Sequence, residues 1–375
     1  MSEPDAGAPS SYSGSVVPDI RDGVPLAPLT TLELGGQARH LVEARDDETI
    51  VAALRWADDR RLPVLILGGG SNLVVADEGF PGLVVRVATR GRVYSADGAV
   101  VSLTAAAGEP WDDLVADAVG RDLAGLECLS GIPGLVGATP IQNVGAYGQE
   151  VGETIQTVRV VERGKWRTRD LAPAECAFAY RDSAFKHDPD RFAVLAVTFA
   201  LRPGGAPTLR YRELAEALGD HPRPTLADAR RVVLALRRRK SMVIAPGDPN
   251  RRSVGSFFTN PVLPAARADE AVARAVALGD APSPAEVPRW PAPGGAVKLS
   301  AGWLIERARF SKGMRRGPVG ISSAHALALV HHGGGTTAAL IALARDIQEG
   351  VRSRFGVTLM PEPALVGVAW PAAEP

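Results

Sequence analysis

The sequence is poor in cysteine: of 375 residues, only Cys128 and Cys176 carry a thiol. Two isolated thiols build neither a disulfide framework nor a thiolate metal knuckle, and they suit a reducing compartment. Net charge is lacking as well, since 42 Lys and Arg balance 42 Asp and Glu. No bulk charge points to nucleic acid or to a membrane surface, although a locally basic pocket for a small anion stays open. The most apolar runs, such as Leu62 to Leu67, are far too short to span a bilayer. His40, His187, His221, His325, His331 and His332 show no ligand spacing with Cys or paired carboxylates, so no metal site is expected. His331-His332-Gly333 reads as a loop. No Ser-His-Asp constellation and no internal repeat stand out. Residues 1–20 are rich in Ser, Gly, Pro and Ala without an apolar h-region, and read as a disordered leader, not a signal peptide.

What is present is a globular balance, 46% hydrophobic and 22% charged, in a chain long enough for two or three compact units. Strands are expected at Leu41 to Glu43, Val64 to Leu67 and Leu83 to Val87. A helix is expected from Thr49 to Arg60, where Ile50, Leu54 and Ala57 recur at helical spacing behind Asp46 and Asp47. This is a small β-α-β-β unit. A second region has strands at Val100 to Ala105, Thr157 to Val161 and Ala193 to Leu201, with helices at Trp111 to Gly120 and Thr225 to Arg239. Pro and Gly around residues 244–250 mark a boundary. Beyond it lie helices near 265–278, 300–309 and 336–355 and closing strands at Val357 to Leu359 and Ala364 to Val368. The organisation read from this is a leader (1–20), a first subdomain (21–90), a second (91–243, with the C-terminal strand 357–370) and a third unit (244–356).

Two glycine-rich loops carry the first chemical signal. Gly68-Gly69-Gly70-Ser71-Asn72 follows the apolar strand that ends at Leu67, and three glycines let a backbone approach a phosphate. No Lys-Ser/Thr follows, which excludes a P-loop, and Leu73 continues as strand, which excludes a dinucleotide fingerprint entering a helix. A plain glycine turn remains the alternative. The second loop runs Gly131-Ile132-Pro133-Gly134, then Gly137-Ala138, then Pro140-Ile141-Gln142-Asn143, then Gly145-Ala146-Tyr147. Its small residues permit close approach and its amides offer donors and acceptors. A structural Ω-loop is the bland reading.

The segments "LTTLELGGQARHLVEA", "LILGGGSNLVV", "SGIPGLVGATPIQNVGAYGQEV", "YRDSAFKHD", "GSFFTNPV", "VKLSAGWLIERA" and "MPEPALVG" closely resemble the UDP-N-acetylenolpyruvoylglucosamine reductase (MurB) family, in the family's order over roughly residues 24–368. The resemblance implies an α+β fold: a two-subdomain FAD-binding module of the vanillyl-alcohol-oxidase type plus a C-terminal α+β domain that covers the substrate. It implies that both glycine-rich loops, Leu67 to Leu73 and Gly131 to Tyr147, hold FAD. It implies a cytoplasmic, monomeric enzyme with no nucleic-acid partner. In this scheme NADPH reduces the flavin and leaves. UDP-N-acetylglucosamine enolpyruvate then takes a hydride at its methylene carbon and a proton at the adjacent carbon, giving UDP-N-acetylmuramate. NADPH over NADH is not legible, because no separate dinucleotide motif exists to read.

The same resemblance assigns roles beyond the loops. Arg181 would hold the enolpyruvyl carboxylate, for which its planar fork is suited, with Tyr180 as a neighbouring substrate contact. Read alone, Arg181 fits a surface ion pair with Asp182 or Asp188 better. Ser256 would be the general acid, although a lone Ser before the aromatic pair Phe257-Phe258 is more often structural. Glu362, between Pro361 and Pro363, would assist Ser256 and Arg181. Asn260 would touch substrate. Tyr211 in "LRYREL", Arg237 and Lys240 would clamp the substrate diphosphate, against a solvated helix face as the alternative for Arg237 and Lys240. The Tyr211 segment marks the branch of the family that carries a tyrosine substrate loop. Two other readings stay open: an oxidase on the same flavin module, which would often tether its flavin through His or Cys, and a binding protein that has lost turnover.

Overall fold

Two sheets and the helices packed on them organise most of the chain before Arg238. The computed structural model describes residues 18–219 and 221–371, so the expected leader falls almost wholly outside the described residues. The described chain divides into two units. The first comprises the residues up to Val24, Ala38–Gly69 and Pro81–Arg237; the second comprises Pro25–Gln37, Gly70–Phe80 and the chain from Arg238 onward.

In the first unit a four-stranded sheet has the order Arg21–Pro25, Gln37–Ala44, Phe80–Val87, Val64–Leu67. The last two strands run parallel, with Val64 opposite Leu83 and Leu67 opposite Arg86. The helix Asp47–Asp59 starts where Asp46 accepts the Thr49 N–H at 2.7 Å, and it buries Ile50, Val51, Ala53, Leu54 and Ala57. An acceptor at this position satisfies one of the free N–H groups of a helix start. The larger sheet is antiparallel, in the order Arg167–Leu171, Ile155–Glu162, Phe192–Pro203, Val100–Ala106, Arg92–Asp97. Its apolar residues join the helix Trp111–Gly120 in one core, where Trp111 packs 5.8 Å from Phe199 and donates its indole N–H to the Leu129 carbonyl. A smaller core of Leu214, Val232, Val233 and Leu236 closes around Cys128, under the helices Arg212–Leu218 and Leu226–Arg239.

The second unit pairs Leu73–Val75 in parallel with Ala364–Val366. It adds a three-stranded sheet from Val262–Leu263, Val297–Leu299 and Arg289–Pro291, and another from Arg315–Arg316, Val319–Ile321 and Leu329–His331. The helix Thr337–Phe355 runs through its core. That helix is capped twice at its start. Thr336 accepts the Ala339 N–H, and the Asp77 carboxylate accepts those of Thr337 and Ala338 at 2.7 and 2.9 Å. It stops at Gly356, whose φ of +71° favours glycine.

Several element readings need correction. Val357 to Leu359 is not a strand: Val357 and Leu359 are buried, and the Leu359 carbonyl is met by the Gln348 side chain at 2.7 Å instead of a ladder partner. His331 is not in a loop. It ends a strand, its Nδ1 faces the Leu32 carbonyl at 3.0 Å and its Nε2 accepts the Gly335 N–H, which selects the Nδ1-protonated tautomer. The strands Arg92–Asp97 and Arg167–Leu171 went unread because they lie on sheet edges with few buried residues; Val93 is 65% exposed.

Candidate active site

In the first unit the two glycine-rich segments touch. A Cβ on Gly69 would lie 2.9 Å from the Gly134 Cα, so no side chain fits between the loops there. Gly68 makes ordinary contact with Leu135 and Ala138. Leu67 is buried at the strand end that delivers the loop. Gly137 lies against Ala107 and donates its N–H to the Ala107 carbonyl, while the Gly131 N–H donates to Asp112. These N–H groups are used by the scaffold, and at Gly137 a Cβ would collide with Ala107 at 2.5 Å, so glycine there permits close packing. Ile132, Pro133 and Gln142 are half-buried, Ala138 and Ile141 are exposed, and Pro140 is buried. Asn143 is buried with its amide engaged at both ends. Nδ2 donates to Glu150 and to the Ala179 carbonyl, both at 2.9 Å, and Oδ1 accepts the Gly152 N–H at 2.9 Å.

The link from Asn143 to Ala179 holds a tight turn against the second loop. Ala179 and Asp182 exchange both backbone hydrogen bonds at 3.1 Å, which leaves Tyr180 and Arg181 as the two residues of the turn. Arg181 sits at φ +54°. That region costs a non-glycine residue about 1–3 kcal/mol and persists only where surrounding contacts enforce it. Here the guanidinium donates to the carbonyls of Gly145 and Asn143 at 2.5 and 3.5 Å, and its Cζ lies 5.3 Å from the centre of the Tyr180 ring. A Cβ on Gly145 would come within 2.8 Å of a guanidinium nitrogen, so a larger residue there would press on Arg181. Asp182, one of the partners the sequence offers Arg181, pairs with His187 at 2.7 Å.

Tyr147, at φ +49°, ends the second loop with its ring edge-on to Tyr211 at 5.3 Å. Tyr211 is 42% exposed and precedes the helix Arg212–Leu218. Arg237, near the end of Leu226–Arg239, is close enough to Tyr147 and Asp112 to feel both. Burial pushes its guanidinium below arginine's ordinary value, and these two neighbours oppose that. Lys240 lies half-buried just past this helix, in the second unit.

The second unit brings the remaining candidates onto two paired segments. Phe258 bridges Pro361, the Glu362 N–H donates to the Phe257 carbonyl at 2.8 Å, and the Thr259 N–H donates to Met360. Ser256 and Glu362 therefore stand on neighbouring backbones, both half-buried, with Phe257 and Phe258 buried beneath them against Trp370. Asn72 joins them. Its Nδ2 donates to the Glu362 carbonyl at 3.4 Å, and its own carbonyl accepts the Ala364 N–H at 3.0 Å. Gly70, at φ +62°, packs on Leu29 and Thr30, where a Cβ would collide with the Leu29 carbonyl; Ser71 is half-buried and Leu73 buried. Asn260 Oδ1 accepts the Ala301 N–H at the start of the helix Ala301–Arg307. Among the described residues, no group of three or more His, Cys, Asp or Glu is placed to hold a metal ion, and no helix is long and apolar enough to cross a membrane.

Residues 38–167 match the family model "FAD binding domain", and residues 248–366 match "UDP-N-acetylenolpyruvoylglucosamine reductase, C-terminal domain". A UDP-N-acetylenolpyruvoylglucosamine reductase of Streptomyces avermitilis is 50% identical over 94% of this chain and 96% of its own. The chain belongs to the UDP-N-acetylenolpyruvoylglucosamine reductase family. A Thermobifida fusca member is 51% identical over 92% of this chain and 97% of its own. The crystal structure of the Thermus caldophilus member superposes with a TM-score of 0.63 at 27% identity, covering 92% of this chain and 97% of that one. The fold is thus the family's α+β arrangement, an FAD-binding module with a C-terminal domain.

The glycines let the segments of this FAD-binding module meet in backbone contact, since a Cβ at Gly69 would come 2.9 Å from the Gly134 Cα and one at Gly137 2.5 Å from the Ala107 Cβ. Sequence reasoning missed the side chains that brace these loops. Asp112 accepts both guanidinium nitrogens of Arg230, at 2.6 and 3.0 Å, as well as the Gly131 N–H at 2.6 Å. Burial would raise this carboxyl, but Arg230 and Gly131 prevail and hold it below the usual carboxylate range. Glu127, Gln149 and Thr208 form a second brace. The only signal for Asp112 was an acid in the first turn of a helix, and there was none for the second brace, whose members lie up to 81 positions apart.

Proposed function

We propose that the protein reduces UDP-N-acetylglucosamine enolpyruvate to UDP-N-acetylmuramate, a step of peptidoglycan precursor synthesis, with FAD as cofactor and NADPH as reductant. Membership of the family over nearly the whole chain carries this reading. Leu67 to Leu73 and the loop from Gly131 to Tyr147 would hold FAD, which when bound supplies hydride to the enolpyruvyl methylene carbon. Arg181 grips the substrate carboxylate as negative charge spreads into it, and Glu362 assists. Ser256 gives its proton to the carbon beside that carboxylate. Tyr211, Arg237 and Lys240 neutralise the diphosphate, and Tyr180 and Asn260 orient the substrate. The enzyme works in the cytoplasm as a monomer. An oxidase that tethers its flavin through cysteine is disfavoured at Cys128. Its thiol is buried, donates to the Thr208 carbonyl at 3.1 Å and is pushed up to about 12, first by burial and then by Glu127.

The visible spectrum tests the reading. The purified protein should be yellow, bleach with NADPH under anaerobic conditions, and regain colour on addition of the enolpyruvyl UDP-sugar. A reduced protein that recovers colour only when oxygen enters would be a different flavoenzyme, and a protein unable to take up FAD would refute the assignment of both loops.

A further inference from the structure

Glu127 is a carboxylic acid with no exposed surface, and the proposed chemistry does not use it. It lies at the start of the second glycine loop, in a 3-10 turn Glu127–Leu129. Oε2 accepts the Gly125 N–H at 2.8 Å, and Oε1 accepts the Thr208 N–H at 2.8 Å and the Gln149 amide at 3.2 Å. Gln149, also buried, accepts the Cys128 N–H at 3.0 Å and donates to the Thr208 hydroxyl at 3.3 Å. Three stretches of chain therefore meet on two side chains: the entrance of the loop, its exit just past Tyr147, and the segment that leads three residues later to Tyr211. A buried carboxylate is costly unless donors meet it, and here donors meet both oxygens.

The anchor decides where the Tyr211 segment lies. Beyond Thr208 the segment is mostly exposed: Leu209, Arg210 and Tyr211 are all open to solvent, and Arg210 is tied by its pair with Glu153 at 3.0 Å. It packs on Gly148, where a Cβ would come 3.0 Å from the Arg210 Cβ and 3.3 Å from the Tyr211 N, and it ends with Tyr211 edge-on to Tyr147. We infer that Glu127, seconded by Gln149, is a positioning residue that fixes the Tyr211 segment against the cofactor loop and so sets affinity for the UDP-sugar diphosphate. The inference rests on the reading of Tyr211 as a substrate contact.

Glu127→Gln is the informative change, because it keeps the shape but offers one acceptor oxygen and one amino group to a site with donors on both sides. At least one anchor must then fail. The test is steady-state kinetics of wild type, E127Q, Y211F and the double variant, with flavin content measured for each. E127Q is expected to retain flavin and kcat while KM for the enolpyruvyl UDP-sugar rises on the order of tenfold, the size of one lost charge-assisted hydrogen bond. Y211F should raise KM as well, and the double variant should be no worse than the worse single one, since both act through the same phenol. An unchanged KM in E127Q, a fall confined to kcat, or multiplied effects in the double variant would each overturn the inference while leaving the role of Tyr211 intact. A Y211F protein with wild-type KM would instead remove Tyr211 from the substrate site, and the inference with it. Should E127Q fail to fold, Gln149→Met, which deletes the donor to Glu127 and to the Thr208 hydroxyl, enters the same cycle with the same expected and overturning results.

Discussion

A serine hydroxyl is a weak acid, and in the proposed role Ser256 would depend on its placement. It precedes two fully buried phenylalanines whose backbone pairs with the segment carrying Glu362. Replacing it with alanine removes one oxygen from a half-buried position and should leave the fold and the flavin alone. S256A is expected to bleach with NADPH at the wild-type rate and to reoxidise with the enolpyruvyl UDP-sugar about 10²–10⁴ times more slowly, the usual contribution of a positioned proton donor. Stopped-flow absorbance separates the two phases, and reoxidation at the normal rate would take the acid role away from Ser256. Motif order singled this residue out as the proposed acid. The conformation of its proposed partner Arg181 was not. Nothing in one sequence marks a non-glycine residue held at φ +54°, since the cause lies 36 positions away in the Gly145 carbonyl. Asn143 and Tyr147, at +43° and +49°, were equally unmarked in the sequence.

Elements with an apolar face were readable, and the exposed edge strands Arg92–Asp97 and Arg167–Leu171 were not. The helices Asp47–Asp59, Trp111–Gly120 and Thr337–Phe355 announce themselves because buried residues recur every three or four positions. Val357 to Leu359 misled because a short apolar run looks the same whether its carbonyls meet a strand or, as here, the side chain of Gln348. Long-range caps are equally invisible. Asp77 follows the strand Leu73–Val75, yet it caps a helix that begins 260 positions later. Asp77→Ala leaves the Thr336 cap in place but strips the carboxylate from two N–H groups, and should cost about 1–2 kcal/mol. A lowered urea midpoint at constant m-value would show it. An unchanged midpoint would mean that Thr336 and water suffice.

For the molecule as a whole, the two thiols set a limit on the alkaline side. Burial raises Cys128 from its ordinary 9.0 to about 12 and Cys176 to about 11, with Glu127 and Glu175 respectively adding to it. Above pH 9 the unfolded chain gives up these protons while the folded chain keeps them. Stability should therefore be fully present below that pH and fall as pH climbs toward 11–12. Denaturation midpoints measured from pH 8 upward should decline, and a Cys128→Ala, Cys176→Ala double variant should decline less steeply. A thiol reagent at pH 8 should label neither cysteine until denaturant is added. The division of the chain has a different consequence. Residues 25–37 and 70–80 belong with the unit that ends the sequence, so the peptide passes from one unit to the other five times. A ribosome that has finished Arg237 has made all of one unit but only two short pieces of the other. Those pieces have to wait through the rest of translation for the strand Ala364–Val366 that pairs with Leu73–Val75. Neither unit can be released by a single proteolytic cut or expressed as an uninterrupted fragment of the gene.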